Sequence, residues 1–274
     1  MRPWVFITGC STGIGRALVP LCREAGWGVV ATARQPKTLE DLPFGEDLRI
    51  LALDVTDAAS IAVAVSACAD LRLKALVNNA GYGQVGPLEL IRPEELRAQF
   101  ETNVIGLHAV TSAFLPLLRR EPGARILQVA SMLGRLSIPL AGPYNASKHA
   151  VVALAESLRL EVEPEVAVVL VEPGAIQTEF RETLTKVWGD LPERAKGTRY
   201  ERILTKYMTI RKDRSQRHAL DAGTCARRIL KAMVAEHPPR RVVIGKDAFL
   251  AGKFKALLPA AWWEAILRRA YGLR

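Results

Sequence analysis

Tyr144 and Lys148 stand four positions apart in the run GPYNASKHAVVAL (142 to 154), at the start of an apolar stretch with helical spacing. Residues four apart on a helix share a face, so this spacing sets a phenol beside an ammonium. A free tyrosine has a pKa near ~10, and only about one in a thousand is ionised at pH 7. A partly desolvated ammonium within about 5 Å favours the phenolate by Coulomb attraction. Lowering the phenol by two to three units requires about 3 to 4 kcal/mol, which such a neighbour can supply. A tyrosine tuned in this way can give a proton to a carbonyl oxygen or take one from an alcohol. On an isolated helix the same pair is ordinarily surface decoration, so the surrounding residues decide.

Residues 8 to 15 read TGCSTGIG, directly after the apolar run WVFI and at the opening of a helix. Glycines there let the backbone approach a pyrophosphate closely, and a helix N-terminus offers unpaired N–H groups and partial positive charge to hold it. The spacing G-x-x-x-G-x-G departs from the G-x-G-x-x-G fingerprint, so a strand-to-helix turn without a ligand is the competing reading. An NAD site places a carboxylate about 20 residues beyond the glycines, whereas an arginine there accommodates the 2′-phosphate of NADP. This chain has Ala33 and then Arg34 in that place. A guanidinium grips a phosphate through paired hydrogen bonds, so NADP(H) is expected over NAD(H). Asp54, in LALDVTD, could accept from an adenine amino group or cap the next helix.

Those residues need a frame. Short apolar, β-branched runs at Trp4 to Thr8, Trp27 to Thr32, Arg49 to Leu53, Ala75 to Val77, Arg125 to Val129, Val166 to Val171 and Arg241 to Ile244 alternate with helical stretches such as Ile14 to Ala25, Ala58 to Ala69 and Tyr144 to Val162. Strands alternating with such helices imply right-handed crossovers and a parallel sheet covered on both faces. The expectation is an α/β fold, a doubly wound parallel sheet of seven strands in three layers. At 274 residues and 49% hydrophobic, one domain with decorations suffices. Ser131 ends the fifth run, which in a parallel sheet puts it at the carboxyl edge beside the glycine turn. Pro173 to Thr178 follows the sixth run as a strand exit. Residues 179 to 221 are polar, basic and weakly periodic, and are expected to form a substrate lid.

The formal net charge of +10 is unevenly spread. Residues 1 to 180 balance at −3, whereas residues 181 to 274 carry +13. Arg194, Lys196, Arg199, Arg202, Lys206, Arg211, Lys212, Arg214 and Arg217 make a basic cluster. Within a C-terminal extension over 247 to 274, ALLPAAWWEAILRRAYGLR (256 to 274) reads as an amphipathic helix. Its apolar stripe (Trp262, Ile266, Ala270 and Trp263, Leu267, Tyr271) packs on the body of the molecule or a second subunit, or lies on a membrane surface with Arg268 and Arg269 at the headgroups. The aromatics are not interleaved with the cations, which disfavours nucleic acid. Cys10, Cys22, Cys68 and Cys225 are scattered without a CxxC pair, so buried thiols in a reducing compartment are expected. No apolar run approaches the roughly 20 residues of a bilayer span, and the N-terminus does not read as a signal peptide. A cytoplasmic location, peripheral to a membrane if the C-terminal helix docks there, follows. His108, His149, His218 and His237 show no metal spacing, and no metal is expected.

TGCSTGIG at 8 to 15, LDV at 53 to 55, NNAG at 78 to 81, Asn103 within TNVIG, VASMLG at 129 to 134, YNASK at 144 to 148 and VEPGAIQT at 171 to 178 occur in one order. In that order and spacing the chain resembles the classical short-chain dehydrogenase/reductases, and its TGCSTGIG and ATAR wording is most similar to their hydroxysteroid and retinol dehydrogenase branch. The resemblance implies a Rossmann-type fold and an NADP(H)-dependent oxidoreductase that moves a hydride between nicotinamide and a carbonyl or secondary alcohol carbon. The substrate class implied is lipophilic: steroid, retinoid or fatty. By the resemblance Tyr144 is the acid/base, Lys148 tunes it and holds the nicotinamide ribose, Ser131 bonds the substrate oxygen, and Asn103 anchors a water that relays protons to Lys148. Cofactor contacts are implied for Gly9, Ser11, Thr12, Gly13, Ile14 and Gly15, for Arg34, Asp54 and Val55, for Asn79, Ala80 and Gly81, and for Pro173, Gly174, Ile176 and Thr178. A homodimer or homotetramer pairing the helices around 100 to 120 and 144 to 162 is also implied. Two alternatives stand beside this: a catalytically silent NADP(H)-sensing protein, which would ordinarily lack the Tyr or the Lys, and a peripheral membrane-attached lipid-modifying reductase.

Overall fold

A computed structural model describes residues 2–178, 187–207 and 219–273 of the chain. Seven strands form one parallel sheet: β1 (Trp4–Ile7), β2 (Gly28–Ala33), β3 (Leu48–Ala52), β4 (Leu73–Asn78), β5 (Ala124–Val129), β6 (Val166–Pro173) and β7 (Arg241–Ile244). Their order across the sheet is β3-β2-β1-β4-β5-β6-β7. All residues of β1, β2 and β5 are buried, which is why these strands read as continuous apolar runs: a parallel sheet is covered on both faces. Strand order reverses between β1 and β4, and ligands of open α/β sheets bind at such a switch point, outside the carboxyl ends of the strands.

Helices cover the two faces. On one side lie α1 (Gly13–Glu24) and a later helix, α6 (Ala222–Val234), against Val5, Val29 and Val171. On the other lie α2 (Ala58–Ser66), α4 (Leu107–Leu118) and α5 (Gly142–Val162), against Phe6, Leu76 and Ile126. The Phe6 and Phe114 rings meet with centroids 4.2 Å apart, tying the central strand to α4. Gly28 is required where it stands: a Cβ there would come within 2.3 Å of the Trp4 ring.

The helix entering α4 is interrupted. After α3 (Pro93–Phe100), residues Glu101–Gly106 form a π turn before α4 resumes. Such turns inside α-helices recur at functional sites, and this one carries Asn103.

Beyond β6 the chain leaves the sheet. Ile176–Gln177 pairs with Leu220–Asp221 in a two-residue ladder, and a short helix at Leu191–Ala195 lies within the expected lid. Residues 179–186 and 208–218 of that lid, with Arg211, Lys212, Arg214, Arg217 and His218, lie outside the described residues. After β7 come α7 (Lys246–Leu257) and α8 (Ala260–Tyr271). A third apolar cluster joins Trp188, Leu191 and Tyr207 of the lid to Tyr271 of α8 and to Leu140 before α5. Among the described residues no helix is long and apolar enough to cross a membrane. All four cysteines are free and buried, and burial pushes each thiol up to about 12, which makes them inert packing groups.

Candidate active site

The glycine turn sits at the carboxyl end of β1. Gly9 and Gly13 have φ of 71° and 61°, conformations that favour glycine. Gly15 faces inward: a Cβ there would stand 2.4 Å from the Gly9 carbonyl and 2.6 Å from Asn79 Nδ2. It therefore acts by close packing, while Gly9, Ser11, Thr12, Gly13 and Ile14 line an open cleft of about 1870 Å3. Thr12 is extended at the N-cap of α1, its side chain makes no cap hydrogen bond, and no acidic residue occupies the first turn. The free N–H groups and positive end of the helix dipole thus face the cleft, as an anion site requires. Thr8 fixes the turn from beneath, its hydroxyl accepting from the amides of Asn79 and Ala80 at 2.9 Å each. The Asn79 side chain in turn donates to the carbonyls of Thr8 and Gly9. Asn79, Ala80 and Gly81 line the cleft beside them.

The cleft continues to the ends of β2 and β3 at Ala33, Arg34, Asp54 and Val55. Arg34 is exposed and, among the described residues, forms no salt bridge. Asp54 does not cap α2. Its carboxylate accepts from the Thr56 amide at 2.9 Å and the Thr56 hydroxyl at 2.7 Å, while Asp57 caps the helix by accepting from the Ala59 amide. The Thr56 bonds hold the Asp54 carboxyl below its ordinary range, with Arg34 contributing in the same direction.

At the other end lie Ser131, Tyr144 and Lys148. Ser131 follows β5 and accepts from the Leu133 amide at 3.1 Å, leaving its hydroxyl proton to donate elsewhere. Tyr144 and Lys148 lie on the first turns of α5, with Lys148 Nζ 5.8 Å from the Tyr144 ring centroid. Lys148 is only 5% exposed, and its ammonium donates to the Val129 carbonyl at 2.8 Å. Burial pushes its pKa down to about 8, so at pH 7 about nine in ten remain charged. Asn103 is fully buried and does not line the cleft. Its side chain donates to the carbonyl of Tyr82 at 2.9 Å, accepts from the Tyr82 amide at 3.0 Å, and donates to Ser147 Oγ at 3.1 Å. The Ser147 hydroxyl donates to the Tyr144 carbonyl, so the π turn and the first turn of α5 are joined behind the tyrosine. His149 Nδ1 lies 2.8 Å from the Asn145 carbonyl, away from this group.

Pro173, Gly174, Ile176 and Thr178 close the cleft from the end of β6. A Cβ on Gly13 would lie 3.1 Å from Thr178 Cγ2, so the two turns pack on each other. Sequence reading overlooked what holds this segment. Asp247 at the start of α7 accepts from the Ala175 amide at 2.7 Å. Its carboxylate oxygens occupy the space a Cβ would fill on Gly174 (2.2 Å) and on Gly245 (2.3 Å, φ +109°). The run Gly245-Lys246-Asp247 after the last strand was a helix-start signal at the same sheet edge, but nothing in it named the partner. Thr8 and Ser147 were likewise visible inside quoted motifs and given no part.

The far wall is apolar: Leu136 and Ile138, Val187 of the lid, and Trp263, Leu267 and Tyr271 of α8. The C-terminal stripe thus packs in part on the body of the molecule. In the described part of the basic cluster, Arg194 pairs with Glu95 and Asp190, Lys196 pairs with Glu193, and Arg199 lies over the Tyr200 ring.

Residues 3–187 match the family described as short chain dehydrogenase. A 3-ketodihydrosphingosine reductase of Bacteroides thetaiotaomicron is 32% identical, with 100% of each chain covered. Human retinol dehydrogenase 16 is 31% identical, with 96% of this chain and 87% of that protein covered. Among solved structures, a short chain dehydrogenase from Burkholderia cenocepacia in complex with NADP superimposes with a TM-score of 0.75 at 26% identity, over 96% of each chain. Other similar structures hold NAD.

Proposed function

The chain belongs to the short chain dehydrogenases, a family of oxidoreductases with nicotinamide dinucleotides, and on that premise we propose an NADP(H)-dependent carbonyl reductase or alcohol dehydrogenase for lipophilic substrates. The observation that carries the proposal is the buried ammonium of Lys148 beside Tyr144, in the same cleft as an uncapped helix N-terminus. A buried charge costs free energy unless it is used or paired, and among the described residues the Lys148 ammonium meets the Val129 carbonyl and the Tyr144 ring but no carboxylate.

The residues fit a dinucleotide. Gly9 and Gly13 shape the turn and Gly15 lets it pack tightly, leaving the amide end of α1 open to a pyrophosphate. Arg34 lines the cleft at the end of β2, where a guanidinium would meet a 2′-phosphate, and Ala33 leaves no carboxylate to repel it. When bound, the nicotinamide would supply or take the hydride at the substrate carbon. Tyr144 gives the oxygen its proton in reduction and takes it in oxidation. Ser131, with one lone pair engaged by the Leu133 amide, donates to the same oxygen. Lys148 holds the phenolate form of Tyr144 low in energy and bonds the ribose. The Asn103 side chain is committed to Tyr82 and Ser147, so its part in a water relay falls to the backbone of the π turn. Asp54, Val55 and the segment Asn79 to Gly81 bound the adenosine half, and Pro173 to Thr178 the nicotinamide half.

For the substrate, the apolar wall of Leu136, Ile138, Trp263 and Leu267 favours a steroid, retinoid or fatty carbonyl, in keeping with the substrates named for two of its relatives. The chain is read as one domain over 1–274, with residues 179–221 as lid and 247–274 as wall. A homodimer or homotetramer through α4 and α5 accords with the exposed Ile105, Leu154 and Leu160 on that side. Purified protein with NADPH and a panel of lipophilic ketones and aldehydes tests the proposal. Cofactor oxidation is expected, faster than with NADH. Tyr144→Phe should abolish turnover while NADPH still binds. Turnover by the Phe variant at the parent's rate overturns the assignment, and NADPH binding without any turnover favours the sensing alternative.

A further inference from the structure

We propose that the outer face of α7 and the start of α8 is a docking surface for an anionic lipid bilayer, set on the reverse side of the cleft wall. Of the fourteen exposed large apolar side chains among the described residues, six fall on these two helices: Phe249, Leu250, Phe254, Leu257, Trp262 and Ile266. Leu257 is 81% exposed and Trp262 66%. At about 100° per residue, Phe249, Leu250, Phe254 and Leu257 fall within an arc of roughly 140° on α7. The opposite arc of α7 faces the protein: Ala248 is buried, Ala251 lines the cleft, and Gly252 lies against the Arg135 guanidinium. The exposed arc is therefore unneeded for folding. Soluble surfaces rarely gather apolar side chains in this way without a partner.

Charge identifies the partner. Lys253 stands inside the same arc, its Nζ 4.4 Å from the Phe249 ring centroid, Lys246 stands at the edge where this arc meets the cleft it also lines, and Arg269 lies next to Trp262 around α8. From Lys246 to Tyr271 the helices hold five Lys and Arg against Asp247 and Glu264, and Asp247 is turned inward onto Ala175. Aromatic and aliphatic side chains mixed with cations that can reach phosphate headgroups are the composition of an interfacial helix. A protein partner would instead call for a shaped, charge-depleted core.

Position gives the surface a use. Trp263, Leu267 and Ala251 line the cleft from the same helices that carry the outer face, and Ile266 is both exposed and cleft-lining. A molecule leaving the bilayer at this edge meets the apolar wall without crossing water. The docking stands on the surface alone. Only this delivery step rests on the proposed reductase function.

The test is co-sedimentation of the full chain with vesicles of phosphatidylglycerol and phosphatidylcholine, against vesicles of phosphatidylcholine alone. Binding to the anionic vesicles is expected, weakened by salt. The variant Phe254→Ser/Leu257→Ser/Trp262→Ser, whose residues lie outside the cleft, should lose roughly tenfold or more in partitioning. Lys253→Glu should lose more than the fivefold or so that removing one charge costs, because it reverses the sign. Thermal unfolding and an NADPH titration show that each variant is folded. The proposal is overturned if the full chain stays in the supernatant with anionic vesicles at low salt, or if the triple variant binds as the parent does. It is equally overturned if light scattering shows the triple change turning an oligomer into a monomer, since a second copy then covers the face. Vesicle binding needs no turnover, so its failure leaves the reductase reading intact, and the failure of turnover leaves docking intact.

Discussion

The stretch up to residue 178 and the described stretch from 187 to 273 are built under different constraints. In the first, side chains at the carboxyl edge are tied to backbone atoms of other segments: Lys148 to Val129, Asn79 to Thr8 and Gly9, Asn103 to Tyr82. In the second, the contacts that shape the apolar wall are between side chains: Trp188 and Tyr207 with Tyr271, and beside them Arg194 with Glu95. Backbone partners demand one residue type at one spacing, whereas apolar contact tolerates any side chain of similar volume. The family motifs therefore sit in the first region, and on the proposed function the choice of substrate falls to the second.

The sharpest break of that contrast is at Tyr144. Tyr144→Phe keeps the ring and removes the proton donor, so kcat with any substrate should fall by about 1,000-fold, with the NADPH dissociation constant unchanged in a fluorescence titration. A change confined to the second region should never do this. Trp263→Ala should raise KM for bulky lipophilic substrates and spare small ketones.

Next comes Lys148, where function and folding oppose each other. Its folded pKa of about 8 lies below the free value of 10.5. Between these two the unfolded chain holds a proton that the folded chain has released, so stability rises with pH across that window, and below pH 8 the burial penalty is fully present. The shift corresponds to about 3 kcal/mol. Lys148→Met removes the penalty but leaves the Val129 carbonyl unpaired, at about 1 kcal/mol. The variant should be more stable at pH 7 by about 2 kcal/mol, lose that advantage towards pH 10.5, and be nearly inactive. Denaturation at several pH values decides it. A variant less stable than the parent at pH 7 would contradict the burial account.

Arg34 tests whether the first region also carries specificity of its own. Arg34→Ala should weaken NADPH binding by about tenfold, the worth of one charge-assisted phosphate contact, and leave NADH nearly unaffected. Equal losses for both dinucleotides would make Arg34 a general electrostatic contributor only.

The sheet and the Tyr144–Lys148 pair were legible in the sequence because period and spacing encode them directly: a buried parallel strand is a run of Val, Ile and Leu, and i, i+4 is one helical turn. Asp54 was half legible. Its position admits an adenine contact or a helix cap, but the path of the turn brings the Thr56 amide to it and gives the cap to Asp57. Gly15 counted as a ligand in the motif and proves to be a packing residue, because a glycine's role depends on what its absent Cβ would strike. The lid and tail were least legible: amphipathicity gives a stripe without saying whether protein, water or lipid lies beyond it.

Asp247 joins the two regions and was missed for the same reason, since its bond to the Ala175 amide spans 72 residues. The carboxylate fills the space above Gly174 and Gly245, so it sets the turn between β6 and Ile176 while sitting on α7. Asp247→Ala removes a charge-assisted bond to a partly exposed amide, worth about 1 kcal/mol, and lets the Gly174 turn relax. NADPH should bind about fivefold more weakly, with kcat on a small ketone reduced by less than that. Asp247→Asn retains an accepting oxygen and should recover most of the loss, which separates a role in setting the turn from a contribution of charge. If Asn is as weak as Ala, the turn needs the charge-assisted strength of the Ala175 bond, and the boundary between a chemical region and a selecting region must be redrawn to put the start of α7 in the first.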